Sequence, residues 1–206
     1  MLGMSASFGI ASQDERKSTS LEDETPLLLT HSTITDIGFS ADSIYTNTTI
    51  AAGTYNGCAI LENQSMVCWG DNEYGQLGDG TTTGSAVPIY VNVAANETPV
   101  EVTVGQVTAC ALMESGNIYC WGSGYYGKMG NGEPWNDDYV NTEMRQVLLP
   151  EGQGGQTVSI SGGHICTILD NGDVYCWGRG NQGQLGYGGT SNRNIPAKVN
   201  FPSILN

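Results

Sequence analysis

Six cysteines, two histidines and a scatter of aspartates are the residues with chemical potential in this chain of 206. The cysteines fall into three pairs, Cys58/Cys68, Cys110/Cys120 and Cys166/Cys176, each separated by nine residues. That interval does not match the short ligand spacings of zinc sites. It does suit two side chains facing one another across a hairpin. Six cysteines can join in 15 ways, and cross-strand geometry favours 58–68, 110–120 and 166–176. Closing a loop of about ten residues stabilises by roughly 2.5–3 kcal/mol in the chain-entropy description, less any strain. The other reading is six reduced thiols acting as small buried side chains. His31 lies in a polar stretch, and His164 occupies a position held by Asn56 and Thr108 before the other two pairs, which points to a local structural role. Without a recurring histidine no nucleophile–base pair can be argued. Asp71, Asp79, Asp170 and Asp173 lie in turns, where acidic residues are ordinary. The expectation is therefore no metal, no cofactor and no enzyme activity.

The elements that position these residues recur. CAILENQSMVCWGDNEYGQLG begins at Cys58, CALMESGNIYCWGSGYYGKMG at Cys110 and CTILDNGDVYCWGRGNQGQLG at Cys166. Self-similarity at such a period is the signature of repeat architectures. Each unit opens on a β-type run eight residues before its first cysteine, at Ile50, Val102 and Val158. A short apolar run, a turn centred on residue 63, 115 or 171 and a second run ending in Cys-Trp-Gly follow. Asp170-Asn171-Gly172 is a strong hairpin signal, because Asn and Gly tolerate the positive φ such turns need. With those turn centres each first cysteine faces its second. Strand alternation puts Cys166, Ile168, Val174 and Cys176 on one face and Thr167, Leu169, Tyr175 and Trp177 on the other. Both faces are largely apolar, so the small sheet is expected to lie between neighbouring sheets, as propeller blades do. A glycine-rich loop follows each Trp-Gly, with Leu77, Met129 and Leu185 expected to plug it into the core. The distance from Trp69 to Val91 and from Trp177 to Val199 is 22 residues, but from Trp121 to Val147 it is 26. The middle unit thus carries a four-residue insertion within residues 132–147.

The order of β-run, Gly, Cys-Ala-Leu, turn, Val-Tyr-Cys-Trp-Gly and Gly-Gln-Leu-Gly, with a closing VPIYV at 87–91 and IPAKV at 195–199, resembles the regulator of chromosome condensation repeat. The middle unit closes on EMRQV at 143–147, without proline. The resemblance covers about residues 48–201, with repeats at about 48–91, 100–147 and 156–199. It implies an all-β fold of β-propeller blades, three repeats of four strands each. The family's founder is a chromatin-bound nucleotide exchange factor, but paired cysteines and an acidic balance make this chain more similar to secreted bacterial and environmental members. No exchange or catalytic residue carries over, since the matching positions are structural. Closed propellers use four to eight blades and this family about seven, so three blades form an incomplete ring. A longer chain, association of copies into a homo-oligomer, or an open array are the three ways to account for that.

Charge narrows the partners. Seven Lys and Arg stand against 21 Asp and Glu, a formal net charge of −14. Affinity for phosphate backbones needs a basic footprint, so nucleic acid is not an expected partner. No stretch approaches the roughly 20 apolar residues of a membrane span. Residues 1–33 are expected to be a disordered N-terminus, in which MLGMSASFGIA resembles the remnant of a signal peptide and a polar linker follows; the repeat domain is assigned to 34–206. Disulfides persist in oxidising compartments, which favours an extracellular or cell-surface location. Departures from a repeat fall on loops, often on a binding face. The insertion displays Trp135, Asp137, Asp138 and Tyr139, and Tyr125, Tyr126 and Tyr74 lie in equivalent glycine-rich loops. These seven residues are the candidate surface for a protein or glycan ligand, the alternative being that Trp135 covers a blade edge. The functional expectation is a binding module, with a structural self-assembling repeat second and a propeller-type lyase or hydrolase a distant third.

Overall fold

The computed structural model describes residues 49–134 and 139–202. These residues are all-β and form three four-stranded antiparallel sheets. Blade 1 contains β1 (Thr49–Ala52), β2 (Asn56–Ile60), β3 (Met66–Gly70) and β4 (Ser85–Tyr90). Blade 2 contains β5 (Pro99–Val104), β6 (Thr108–Met113), β7 (Ile118–Ser123) and β8 (Val140–Gln146). Blade 3 contains β9 (Gly155–Ile160), β10 (His164–Leu169), β11 (Val174–Gly178) and β12 (Arg193–Lys198). Each sheet is a meander in chain order, and a single 3-10 turn, Tyr125–Gly127, interrupts the loop of blade 2. Among the described residues no helix is long and apolar enough to cross a membrane. The assigned N-terminal segment 1–33 lies outside the described residues.

The central hairpin of each blade has the register its cysteines require. Cys58 is opposite Cys68, Cys110 opposite Cys120 and Cys166 opposite Cys176, and all three pairs are disulfide-bonded. The tight turns place Gln64, Gly116 and Gly172 at one and the same repeat position, with φ of 65°, 83° and 82°. Pro88 and Pro196 lie in β4 and β12, the outer strands, where a missing N–H does not break a central ladder.

The core lies between the blades. The cysteine face of blade 1 (Cys58, Ile60, Met66 and Cys68) packs on the tryptophan face of blade 2, represented by Ala109, Ala111, Met113 and Trp121. The cysteine face of blade 2 (Cys110, Leu112, Ile118 and Cys120) packs in the same sense on Ile165 and Trp177 of blade 3. Both contacts are closed by a polar pin: the indole Nε1 of Trp121 donates to the carbonyl of Gln76, and that of Trp177 to the carbonyl of Lys128, each at 2.9 Å. Leu77, Met129 and Leu185 anchor their loops, all at most 2% exposed.

The expectation that each sheet is covered on both sides holds for blade 2. It does not hold for the outer two. Ile50, on the tryptophan face of blade 1, is 73% exposed, whereas Val102 and Val158 at the same repeat position are 5% and 2% exposed. Ile168, on the cysteine face of blade 3, is 40% exposed, against 5% for Leu112 and 1% for Ile60. The physical reason is plain: among the described residues, no further blade lies against either face.

Candidate functional site

Five short segments converge on one side of the blades. They are the β5–β6 turn of blade 2, the β9–β10 turn of blade 3, and the loops that leave β3, β7 and β11. The loops are positioned by the repeat itself. After Cys-Trp-Gly the chain turns on glycines of positive φ and buries one Leu or Met, and in blades 1 and 2 it docks against the outer strand of the next blade. A Cβ on Gly75 would meet the Asn141 carbonyl at 2.7 Å, and one on Gly127 would meet the Asn194 Cα at 2.7 Å. The backbone also bonds across: Gly80 N–H donates to Thr142 and Gly132 N–H to Asn194.

Between these segments lies a cleft of about 740 Å³. Blade 1 contributes Tyr74 to it. Blade 2 contributes Gln106, Ser123, Tyr125, Tyr126 and Lys128. Blade 3 contributes Ser161, His164, Arg179 and Gln184. The volume is typical of a small-ligand site, and tyrosines with a few convergent polar groups are the usual lining of one. Tyr125 and Tyr126 have ring centroids 4.0 Å apart, and Tyr126 adopts φ of 66°, a left-handed conformation that non-glycine residues reach only where the surroundings impose it. The Arg179 guanidinium lies 5.3 Å from the centre of the Tyr126 ring, a cation–π contact between blades 3 and 2.

The electrostatics of the cleft oppose those of the chain. Against a net charge of −14, its charged lining residues are cationic, and among the described residues no carboxylate lines it. Burial pushes the Lys128 ammonium down to about 8 and holds the His164 imidazole below its ordinary value. Lys128 is 3% exposed. Its ammonium makes no hydrogen bond or ion pair with a described residue; the one salt bridge among them joins Lys198 to Asp173. The described residues contain no cluster of His, Cys, Asp and Glu able to hold a metal ion.

Of the seven sequence candidates, the structure brings Tyr74, Tyr125 and Tyr126 into this cleft. Tyr139 does not line it; its ring packs over Gly124 and against the blade 2–blade 3 core, and its hydroxyl donates to Glu133. Trp135, Asp137 and Asp138 lie outside the described residues, as does His31. Sequence reasoning missed Lys128, Arg179, Gln106 and the cleft position of His164. A usable signal was present: in the three aligned units these positions read Gln76/Lys128/Gln184, Asp71/Ser123/Arg179 and Asn56/Thr108/His164. The side chains that depart from the repeat are those that meet in space.

The architecture defines a β-propeller repeat protein. Two profiles described as the regulator of chromosome condensation (RCC1) repeat match it, one at residues 67–112 and 171–204 and the other at 48–76, 100–128 and 156–184. The chain belongs to the regulator of chromosome condensation repeat family. The human E3 ubiquitin-protein ligase HERC2 is 34% identical over 142 residues, which is 68% of this chain and 3% of the ligase. The ultraviolet-B receptor UVR8 of Arabidopsis thaliana is 28% identical over 155 residues, 75% of this chain and 34% of the receptor. Prp20p of Saccharomyces cerevisiae, a structure described together with its binding to Gsp1p and histones, superposes with a TM-score of 0.64 at 20% identity, over 76% of this chain and 39% of that one. Human WBSCR16 gives 0.66 at 20% identity, over 79% and 42%. At that identity the two solved structures establish the fold. The chain spans from 3% of HERC2 to 42% of the WBSCR16 chain.

Proposed function

We propose that this chain is an exported or surface-displayed β-propeller binding module that recognises a protein or glycan ligand through its blade loops. The observation that carries this reading is the tyrosine-lined cleft, to which all three blades contribute. Three disulfides support export, since such bonds persist in oxidising compartments. That Prp20p is described as binding Gsp1p and histones supports a binding use of the fold. A binding role also fits the lining better than catalysis does: His164 has no carboxylate opposite it in the cleft, so no acid–base pair is formed among the described residues. The sequence candidates Trp135, Asp137 and Asp138, which lie outside the described residues, are included in the proposed ligand surface. The test is a glycan and protein array probed with the unreduced chain and with the Tyr125→Ala and Trp135→Ala variants. Binding lost in both with unchanged assembly supports the reading; no ligand of either class on the array defeats it.

A second reading is favoured by the two uncovered outer faces. The tryptophan face of blade 1 and the cysteine face of blade 3 are the two halves of the contact the chain already makes twice internally. A structural role, in which copies of the chain join head to tail, follows from that complementarity, and its test is the solution mass.

A further inference from the structure

Lys128 is the least expected residue of the cleft. In blade 1 the same position holds Gln76, wholly buried, whose Oε1 accepts the Tyr74 N–H at 2.9 Å and whose Nε2 donates to Asp71 at 2.9 Å. In blade 3 it holds Gln184, whose Oε1 accepts the Gln182 N–H at 2.8 Å. Glutamine there is a tether for its own loop. A lysine cannot do this, because an ammonium has three donors and no acceptor. The Asp71 position has also become Ser123, so the carboxylate that would have paired with a cation in blade 1 is missing in blade 2. The result is a lysine 3% exposed, lining a cleft, whose ammonium has no partner of opposite charge among the described residues. Buried charges are paired in proteins unless something arrives to pair with them.

The surroundings indicate what arrives. Arg179 is a second cation in the same cleft, but its Nε already donates to Asn181 at 2.9 Å and its guanidinium carbon lies 5.3 Å from the centre of the Tyr126 ring. One unpaired ammonium and one half-used guanidinium suit a monoanion better than a phosphate dianion, which would draw on a nest of backbone N–H groups. The remaining lining is aromatic and neutral polar. Tyrosine faces suit a ring with an apolar side. The Gln106 amide, the free Nε2 of Gln184 and the hydroxyls of Ser123 and Ser161 suit a ring bearing hydroxyl groups. The cleft volume of about 740 Å³ accommodates a few such rings.

From this we infer that the cleft is a binding site for an acidic sugar, a pyranose ring carrying a carboxylate, with Lys128 pairing the carboxylate and the tyrosines flanking the ring. The inference rests on the reading of this cleft as a ligand site and names the class of ligand.

The experiment is calorimetric titration of the unreduced chain at pH 7 with four probes: galacturonate oligosaccharide, its neutral galactose counterpart, a glutamate-rich peptide and inorganic phosphate. The first is expected to bind at least tenfold more tightly than the other three. Lys128→Gln, which restores the residue of the sister blades, is expected to cost at least tenfold in that affinity, and Arg179→Ala several-fold. Affinity for the acidic sugar is expected to fall as the pH rises through about 8, the value to which burial lowers Lys128. The groups facing it are Arg179 and His164 from blade 3, Tyr74 from blade 1, and Tyr125 and Tyr126 from its own loop. Equal binding of the neutral sugar, or binding unaffected by Lys128→Gln, overturns the acidic sugar and leaves the binding module standing. Preference for the peptide or for phosphate overturns the sugar class. No binding by any probe, together with an array that captures nothing, overturns both.

Discussion

At the residue scale, Lys128 shows how one substitution in a repeat exchanges stability for a potential site. Its native value of about 8 lies below its ordinary 10.5, so between these pH values the unfolded chain binds the extra proton. Stability therefore rises with pH across that window and is at its lowest below about 8, where the buried ammonium is charged in both states. A depression of this size corresponds to about 3 kcal/mol as an upper bound. Lys128→Gln removes the charge and restores a tether that the sister blades use, and is expected to stabilise the chain at pH 7 by roughly 1–2 kcal/mol, or a few degrees in Tm. Thermal unfolding of the two proteins at pH 7 and pH 10 checks this. The gain should shrink at the higher pH, and a variant less stable than the parent at pH 7 would contradict the argument. In the sequence this residue is marked only by its departure from the other two units. Its unit reads GKMG beside two of GQLG, but that contrast acquires meaning only when folding brings Arg179 and His164, 36 residues or more away, to the same cleft.

At the element scale the sequence was a good guide, because the information is local. Hairpin register follows from a turn centre and a pair of cysteines, and the loop glycines recur because the following blade's outer strand leaves no space for a side chain. The third unit tests that explanation. Gly127 has φ of 83° and would press a Cβ onto Asn194, while Gly183 has φ of 77° with nothing within 4 Å of such a Cβ. Gly127→Ala carries both a left-handed backbone and a clash, and is expected to destabilise by about 2–4 kcal/mol; Gly183→Ala carries the backbone cost alone, about 1 kcal/mol. Urea unfolding of the two variants compares them directly, and equal losses would show that φ, not the neighbouring blade, explains the glycines. The disulfides differ in the same way. Cys110 and Cys120 are fully buried between blades 2 and 3, whereas Cys166 is only partly buried on the uncovered face of blade 3. Under mild reduction with an alkylating mass tag, Cys166 and Cys176 are expected to label before either of the other pairs. What the hairpin pattern did not reveal was which sheet faces go uncovered, since three nearly identical hairpins carry no mark of their place in the order.

At the scale of the whole molecule, the repeat makes a directional contact, and direction determines what the uncovered faces can accept. Each internal interface joins a cysteine face to a tryptophan face with an indole pinned to the preceding loop, so blade 3 offers what blade 1 lacks. Trp69 is half-buried where Trp121 and Trp177 are fully buried, and the loop glycine of blade 3 already holds the backbone that receives a following strand. Such a contact between separate copies is heterologous, and it closes only if the rotation per chain divides a full turn; otherwise it propagates as an open filament. Two copies supply six blades, within the four to eight of closed propellers. A discrete dimer is therefore the expected mass by light scattering of the unreduced chain. Ile168→Asp, a charge set into the half-exposed centre of the blade 3 face, should return it to a monomer without loss of fold, because that side chain is already 40% exposed. A monomeric parent would instead assign these faces to further blades of a longer chain, and a concentration-dependent smear would mean that the head-to-tail contact forms but does not close.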